Sequence, residues 1–94
     1  MEIAKADIVQ SEAGRDKGKL FFVLAEEDEY LLLADGKTRK VETPKRKKRR
    51  HTLLVASKET RVSLKIKGEE KVTNSELRRE LAVFRETDYP SQEG

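Results

Sequence analysis

Nine basic side chains crowd into the fifteen residues from Lys37 to His51: Lys37, Arg39, Lys40, Lys45, Arg46, Lys47, Lys48, Arg49 and Arg50, with Glu42 as the one acid among them. Ammonium and guanidinium groups only donate hydrogen bonds, so the chemistry open to such a run is neutralisation of phosphates or other anions. The rest of the chain carries twelve basic against seventeen acidic residues, and the net charge of +3 therefore hides a sharp asymmetry. Like charges this dense repel one another, and a polyanionic partner relieves the repulsion. A solvated linker with no ligand fits the run as well, and a nuclear-localisation address matches Lys45 to Arg50 too easily to discriminate. A second, smaller basic group, Arg15, Lys17 and Lys19, surrounds Gly14 and Gly18. Glycines there allow backbone conformations barred to other residues and let a sugar-phosphate backbone approach, although for the glycines alone turn-making is the stronger reading.

Other chemistry finds few side chains to work with. Among 94 residues there is no cysteine and a single histidine, His51, which leaves no structural zinc site, iron–sulfur site, disulfide framework or thiol nucleophile. No motif joins a nucleophile, an activating base and an orienting group, so neither an enzyme nor a cofactor is expected. No apolar run approaches the roughly 18 residues of a membrane helix, and the expectation is a soluble, cytoplasmic protein with no membrane or metal partner. The length supports one small domain.

Positioning the basic groups falls to a set of short strands and one clear helix. Ile8 and Val9 begin a short extended run, and Leu20 to Ala25 and Tyr30 to Ala34 are nearly unbroken apolar runs separated by the acidic cluster Glu26 to Glu29. Asp35-Gly36 readily forms a type I′ turn, so a hairpin is expected into a fourth strand at Thr38 to Val41, stopped by Pro44. Thr52 to Ala56 would be the fifth strand. Strands without period-two alternation are expected to be covered on both faces. The cover expected is a C-terminal helix, because Thr73 and Glu76 have capping-box spacing and Leu77, Leu81 and Phe84 follow at i, i+4 and i+7. Arg61 to Lys67 alternates like a strand, yet Val62 and Ile66 also share a helix face, Ser57 could cap it and Gly68 could stop it; the segment stays open.

From Asp7 to Leu24 the order is an apolar strand, a loop with Gly14, Lys17 and Gly18, and a second apolar strand. This resembles a KOW motif, and Ala34 to Gly36 through Pro44 to Lys47 and His51 is similar to one branch of that family. The branch is large-subunit ribosomal protein fourteen of the eukaryotic and archaeal type, together with small bacterial KOW RNA-binding proteins. The resemblance covers Ile3 to about His51, and Lys71 to Phe84 more loosely. It implies an SH3-like five-stranded barrel, mainly β with a C-terminal α-helix. The barrel would occupy residues 1–57, an extension 58–88 would carry a helix at about 74–86 packed on it, and 89–94 would be a flexible tail. It also implies binding of structured RNA, such as ribosomal RNA, within or beside the ribosome and its proteins. In the bacterial relatives the stretch near Arg61 to Lys67 is helical, and the branched side chains here depart from that.

The resemblance points to Arg15, Lys17, Lys19, the nine basic residues of the run and His51 as RNA contacts, with Gly14, Gly18 and Gly36 shaping the loops. Lysine and arginine neutralise phosphates without reading bases, which suits double-stranded RNA and its inaccessible major groove. The five aromatics are Phe21, Phe22, Tyr30, Phe84 and Tyr89, and the first four lie in apolar runs and are expected in the core, which disfavours base stacking. Charge alone does not distinguish RNA from DNA. The alternative is a protein interaction module of the transcription or translation machinery, using the Glu26 to Glu29 cluster and the Arg78/Arg79 helix face.

Overall fold

The computed structural model describes residues 2–87. Five antiparallel strands form one sheet: β1 (Ile8–Ser11), β2 (Leu20–Glu27), β3 (Tyr30–Ala34), β4 (Lys45–Lys48) and β5 (Thr52–Ala56), in the spatial order β4-β3-β2-β1-β5. Two helices follow, α1 (Arg61–Lys67) and α2 (Asn74–Thr87). The two edge strands, β4 and β5, are joined only by a 3-10 turn, Arg49–His51. In a flat sheet four strand spacings would hold them about 19 Å apart, whereas three residues of 3-10 helix advance roughly 6 Å. The sheet is therefore sharply curled, and its ends approach one another.

Both faces of β2 and β3 are buried, as their unbroken apolar runs require. One face carries Val9, Phe21, Val23, Leu31 and Leu33 into the hollow of the sheet, closed by Ile3. The other presents Ile8, Leu20, Phe22 and Ala34 to Val62 and Ile66 of α1 and to Leu77, Leu81 and Phe84 of α2. The α2 stripe is thus part of the domain core, each of its three side chains stabilising the fold by about 1.5 to 3 kcal/mol. The capping box forms as expected: the Glu76 amide donates to Thr73 Oγ1 at 3.1 Å and the Thr73 amide to Glu76 Oε1 at 2.9 Å.

The open segment at Arg61 to Lys67 is a helix. Thr60, not Ser57, caps it, in a reciprocal pair with Ser63, and Gly68 ends it. Burial explains the outcome: Val62 and Ile66 are buried four residues apart, while Leu64, which alternation would group with them, is 51% exposed. A 2.7 Å ion pair from Lys65 to Glu76 ties α1 to α2.

The fourth strand lies elsewhere than expected. Thr38 to Val41 is not extended in the sheet; β4 is made by Lys45–Lys48, the basic residues expected to follow the strand. The reason is local. The Asp35 carboxylate accepts from the amides of Lys37 and Arg39 and from the Thr38 hydroxyl at 2.8 to 2.9 Å, closing a loop where a hairpin would have continued. Burial pushes the Asp35 carboxyl upward, but these donors outweigh it and hold it below its usual 3.8. The loop then docks on α2: Val41 donates its amide to Asn74 Oδ1, Asn74 Nδ2 donates to Glu42, and Arg78 donates to the Gly36 carbonyl at 2.7 Å. Gly36 has φ +81°, and a β-carbon there would collide with the Asn74 carbonyl, so this position combines a left-handed conformation with a close approach.

Candidate nucleic-acid interface

The loop between β1 and β2, residues 12–19, presents Arg15, Lys17 and Lys19 to solvent and turns at Gly14 (φ +77°) and Gly18 (φ +89°). Its shape is set by its own amides: Gly18 donates to the Ser11 carbonyl at 2.8 Å and Lys19 to that of Asp16 at 2.9 Å. Two residues of the later basic run hold it from outside. Arg39 Nη2 meets the buried Asp16 carboxylate at 3.0 Å, and Lys47 Nζ donates to the Ala13 carbonyl at 2.7 Å. Two basic segments far apart in sequence are thereby one surface.

That arrangement divides the nine cations of the run by role. β4 pairs Lys47 with Leu31 and Lys45 with Leu33, so these two lysines share the face of the inner apolar cluster, and Lys47 is 8% exposed. Arg46 lies on the opposite face, 3.0 Å from Glu27, with its guanidinium 3.7 Å above the Tyr30 ring. Arg49 is tied to the carbonyls of Ile3 and Asp28 and to Glu26 at 2.8 Å. That bond to Arg49, reinforced by the Lys5 amide, holds the Glu26 carboxyl below the usual range. Among the described residues, three of the nine cations are thus matched to carboxylates of the same chain, and the Glu26 to Glu29 cluster supplies two of their four partners, the others being Asp16 and, at 3.9 Å from Arg49, Glu2. The self-repulsion inferred for the run is partly relieved within the fold. Lys37, Lys40 and Arg50 are exposed, while Lys48 and His51 are half-buried.

The Arg49–His51 turn connects the basic groups. Its His51 carbonyl accepts from the Glu12 amide at the start of the 12–19 loop, and its Arg49 amide donates to the Glu29 carbonyl at the tip of the β2–β3 hairpin, both at 2.8 Å. Arg50 and His51 therefore sit between that loop and Tyr30. Tyr30 departs from the expected core placement: Phe21, Phe22 and Phe84 are buried, but Tyr30 begins β3 at the edge of the hairpin and is half-exposed. Tyr89 and the expected tail at 89–94 lie outside the described residues.

No protein-family model matches the chain, and no curated protein matches it either. The chemistry of the surface rests on its own geometry: a loop of three exposed cations bonded to Arg39 and Lys47, a turn carrying a fourth, and a half-exposed aromatic ring beside it. Among the described residues no helix is long and apolar enough to cross a membrane.

Proposed function

We propose that this chain is an SH3-like barrel of the KOW type that binds structured RNA, with ribosomal RNA the leading target and a ribosomal or ribosome-associated setting. The short Arg49–His51 link between the edge strands supports the barrel, since it brings the sheet ends together. The observation that carries the RNA reading is the immobilisation of the 12–19 loop by Arg39 and Lys47. A loop held at two points presents Arg15, Lys17 and Lys19 without the ordering cost that a free basic linker bears on binding. Phosphates of a helical RNA are the anions that recur at fixed spacing, and they match a fixed set of cations better than a flexible acidic peptide does.

The test is fluorescence anisotropy of a labelled RNA stem-loop titrated with the protein across a potassium chloride series. Micromolar or tighter binding is expected, with about four to six phosphates neutralised, giving a log–log salt slope of roughly −3 to −5. A slope near zero removes the electrostatic reading. The protein-module alternative has less to use: Glu26 and Glu27 are already ion-paired, and Arg78 is bonded to the Gly36 carbonyl.

A further inference from the structure

Beside the half-exposed Tyr30 lies a cavity of about 260 Å³ lined by Glu29, Tyr30, Lys48 and Arg50. Two fixed backbone connections bring these residues together. Tyr30 and Lys48 are register partners in the β3–β4 ladder, and the Arg49 amide bonds the Glu29 carbonyl at 2.8 Å. The ring itself is pinned: Arg46 stacks on it at 3.7 Å and is in turn held by Glu27 at 3.0 Å. Tyr30 lines the cavity, whereas Arg46 does not. One aromatic surface, two cations and one carboxylate thus converge on a space smaller than the roughly 300 Å³ at which drug-sized sites begin.

We propose that this cavity takes a single unpaired nucleobase of the bound RNA, with guanine the preferred base. This inference deepens the RNA reading and rests on it. Each group has a part in the recognition. A fixed tyrosine ring stacks on any base, because every base has a π-face. Lys48 and Arg50 neutralise the flanking phosphates. Glu29 selects. An ionised carboxylate only accepts, through two oxygens side by side, and the Watson–Crick edge of guanine offers two adjacent donors, N1–H and the N2 amino group. Adenine and cytosine each place a donor next to an acceptor on that edge, and uracil flanks its one donor with two carbonyls, so each sets a lone pair against the carboxylate. The neighbouring cavity of about 360 Å³ shares Glu29 and Arg50 and continues to Thr52, leaving room for the strand to leave the pocket.

The test compares two fluorescein-labelled single-stranded heptamers, one of seven uridines and one with guanosine at the central position, alongside a blunt RNA duplex, all by anisotropy at fixed salt. The guanosine heptamer is expected to bind at least fivefold tighter than the uridine one, in keeping with the discrimination of one bidentate base contact. Glu29→Gln should abolish that preference while leaving the uridine heptamer within about twofold, and Tyr30→Ala should weaken both heptamers about tenfold or more while leaving the duplex unchanged. Circular dichroism melts of both variants, matching the parent, establish that the fold is intact. If the duplex binds with its steep salt dependence but the heptamers bind equally and Tyr30→Ala changes nothing, the base pocket is overturned and the RNA reading stands. If neither duplex nor heptamers bind, both fall.

Discussion

Lys47 is the residue at which the charge of the basic run and its place in the fold come apart, and Lys47→Met separates them. The side chain is 8% exposed, lies on the face of β4 that pairs with Leu31, and ends in a 2.7 Å bond from Nζ to the Ala13 carbonyl. Methionine keeps the stem and removes the charged donor. Hydrogen bonds involving a charged group contribute about 1.5 to 3 kcal/mol, and the desolvation of the ammonium group disappears with it, so a net loss of about 1 to 2 kcal/mol is expected. At about 4 to 8 °C per kcal/mol for a domain of this size, the thermal midpoint should fall by roughly 4 to 16 °C. Because Lys47 faces inward, the salt slope of RNA binding should not change in the variant. Lys17→Ala is the mirror case: Lys17 is exposed, so the midpoint should hold while the slope becomes shallower by about one phosphate contact. Circular dichroism melts and anisotropy salt series on the two variants read both quantities. A Lys47→Met protein that melts with the parent and loses slope as Lys17→Ala does would refute the division of the run into inward clamps and outward contacts.

Leu81→Ala should cost about 2 to 5 kcal/mol, because Leu81 is 1% exposed between α2 and the sheet, whereas Val83→Ala on the same helix, 49% exposed, should stay within about 0.5 kcal/mol. Equal urea midpoints for the two would mean that α2 is not part of the cooperative unit. Gly36→Ala should destabilise the fold by more than the roughly 1 kcal/mol usual for a left-handed glycine, since its β-carbon meets the Asn74 carbonyl, and a thermal melt checks it. Asp35 has its folded carboxyl held below the usual 3.8, so its contribution is present above that value and is lost as pH falls through the lower folded value. The stability gap between the parent and Asp35→Asn should therefore be widest near neutrality and close below about pH 4, measured by urea melts at each pH. A gap that widens in acid would reverse the assignment.

Much of this architecture is legible in sequence where burial imposes a period. Leu77, Leu81 and Phe84 announce α2, and the unbroken runs of β2 and β3 announce two covered faces. β4 is not legible: Lys-Arg-Lys-Lys has no strand propensity of its own, and what extends it is the ladder with Leu31 and Leu33 and the Ala13 carbonyl that receives Lys47. The chain does reverse at Asp35-Gly36, but not as the expected type I′ turn, since only Gly36 of the pair has a positive φ; three donors converging on the Asp35 carboxylate shape a wider loop, which dipeptide statistics do not contain. At Arg61 to Lys67 two periods coexist over seven residues, and only the exposure of Leu64 decides between them. In the candidate site, the cations of the 12–19 loop can be read directly. The exposure of Tyr30 cannot, because an aromatic opening an apolar run looks like core. Its one sequence signal is its place immediately after Glu26 to Glu29, where a hairpin tip leaves the first strand residue at the rim.

The double burial of β2 and β3 leaves their alignment underdetermined by hydrophobicity. In a sheet with one wet face, a slip of one residue turns apolar side chains outward and is strongly penalised. Here Leu31, Leu32 and Leu33 are consecutive, and Phe21 and Phe22 face opposite cores, so a slipped pairing would still meet apolar surroundings on either side. Alignment must come from features that do not slide. One is the hairpin tip, where Asp28 takes a φ of +54°; another is the irregularity between Val23 and Ala25 that leaves Leu24 without a register partner. A third is a pair of backbone bonds at Val23, whose carbonyl accepts from the Ala6 amide at 2.7 Å and whose amide donates to the Asp7 carbonyl at 2.9 Å. Backbone anchors at fixed positions, rather than contrast between oil and water, are what make this sheet singular.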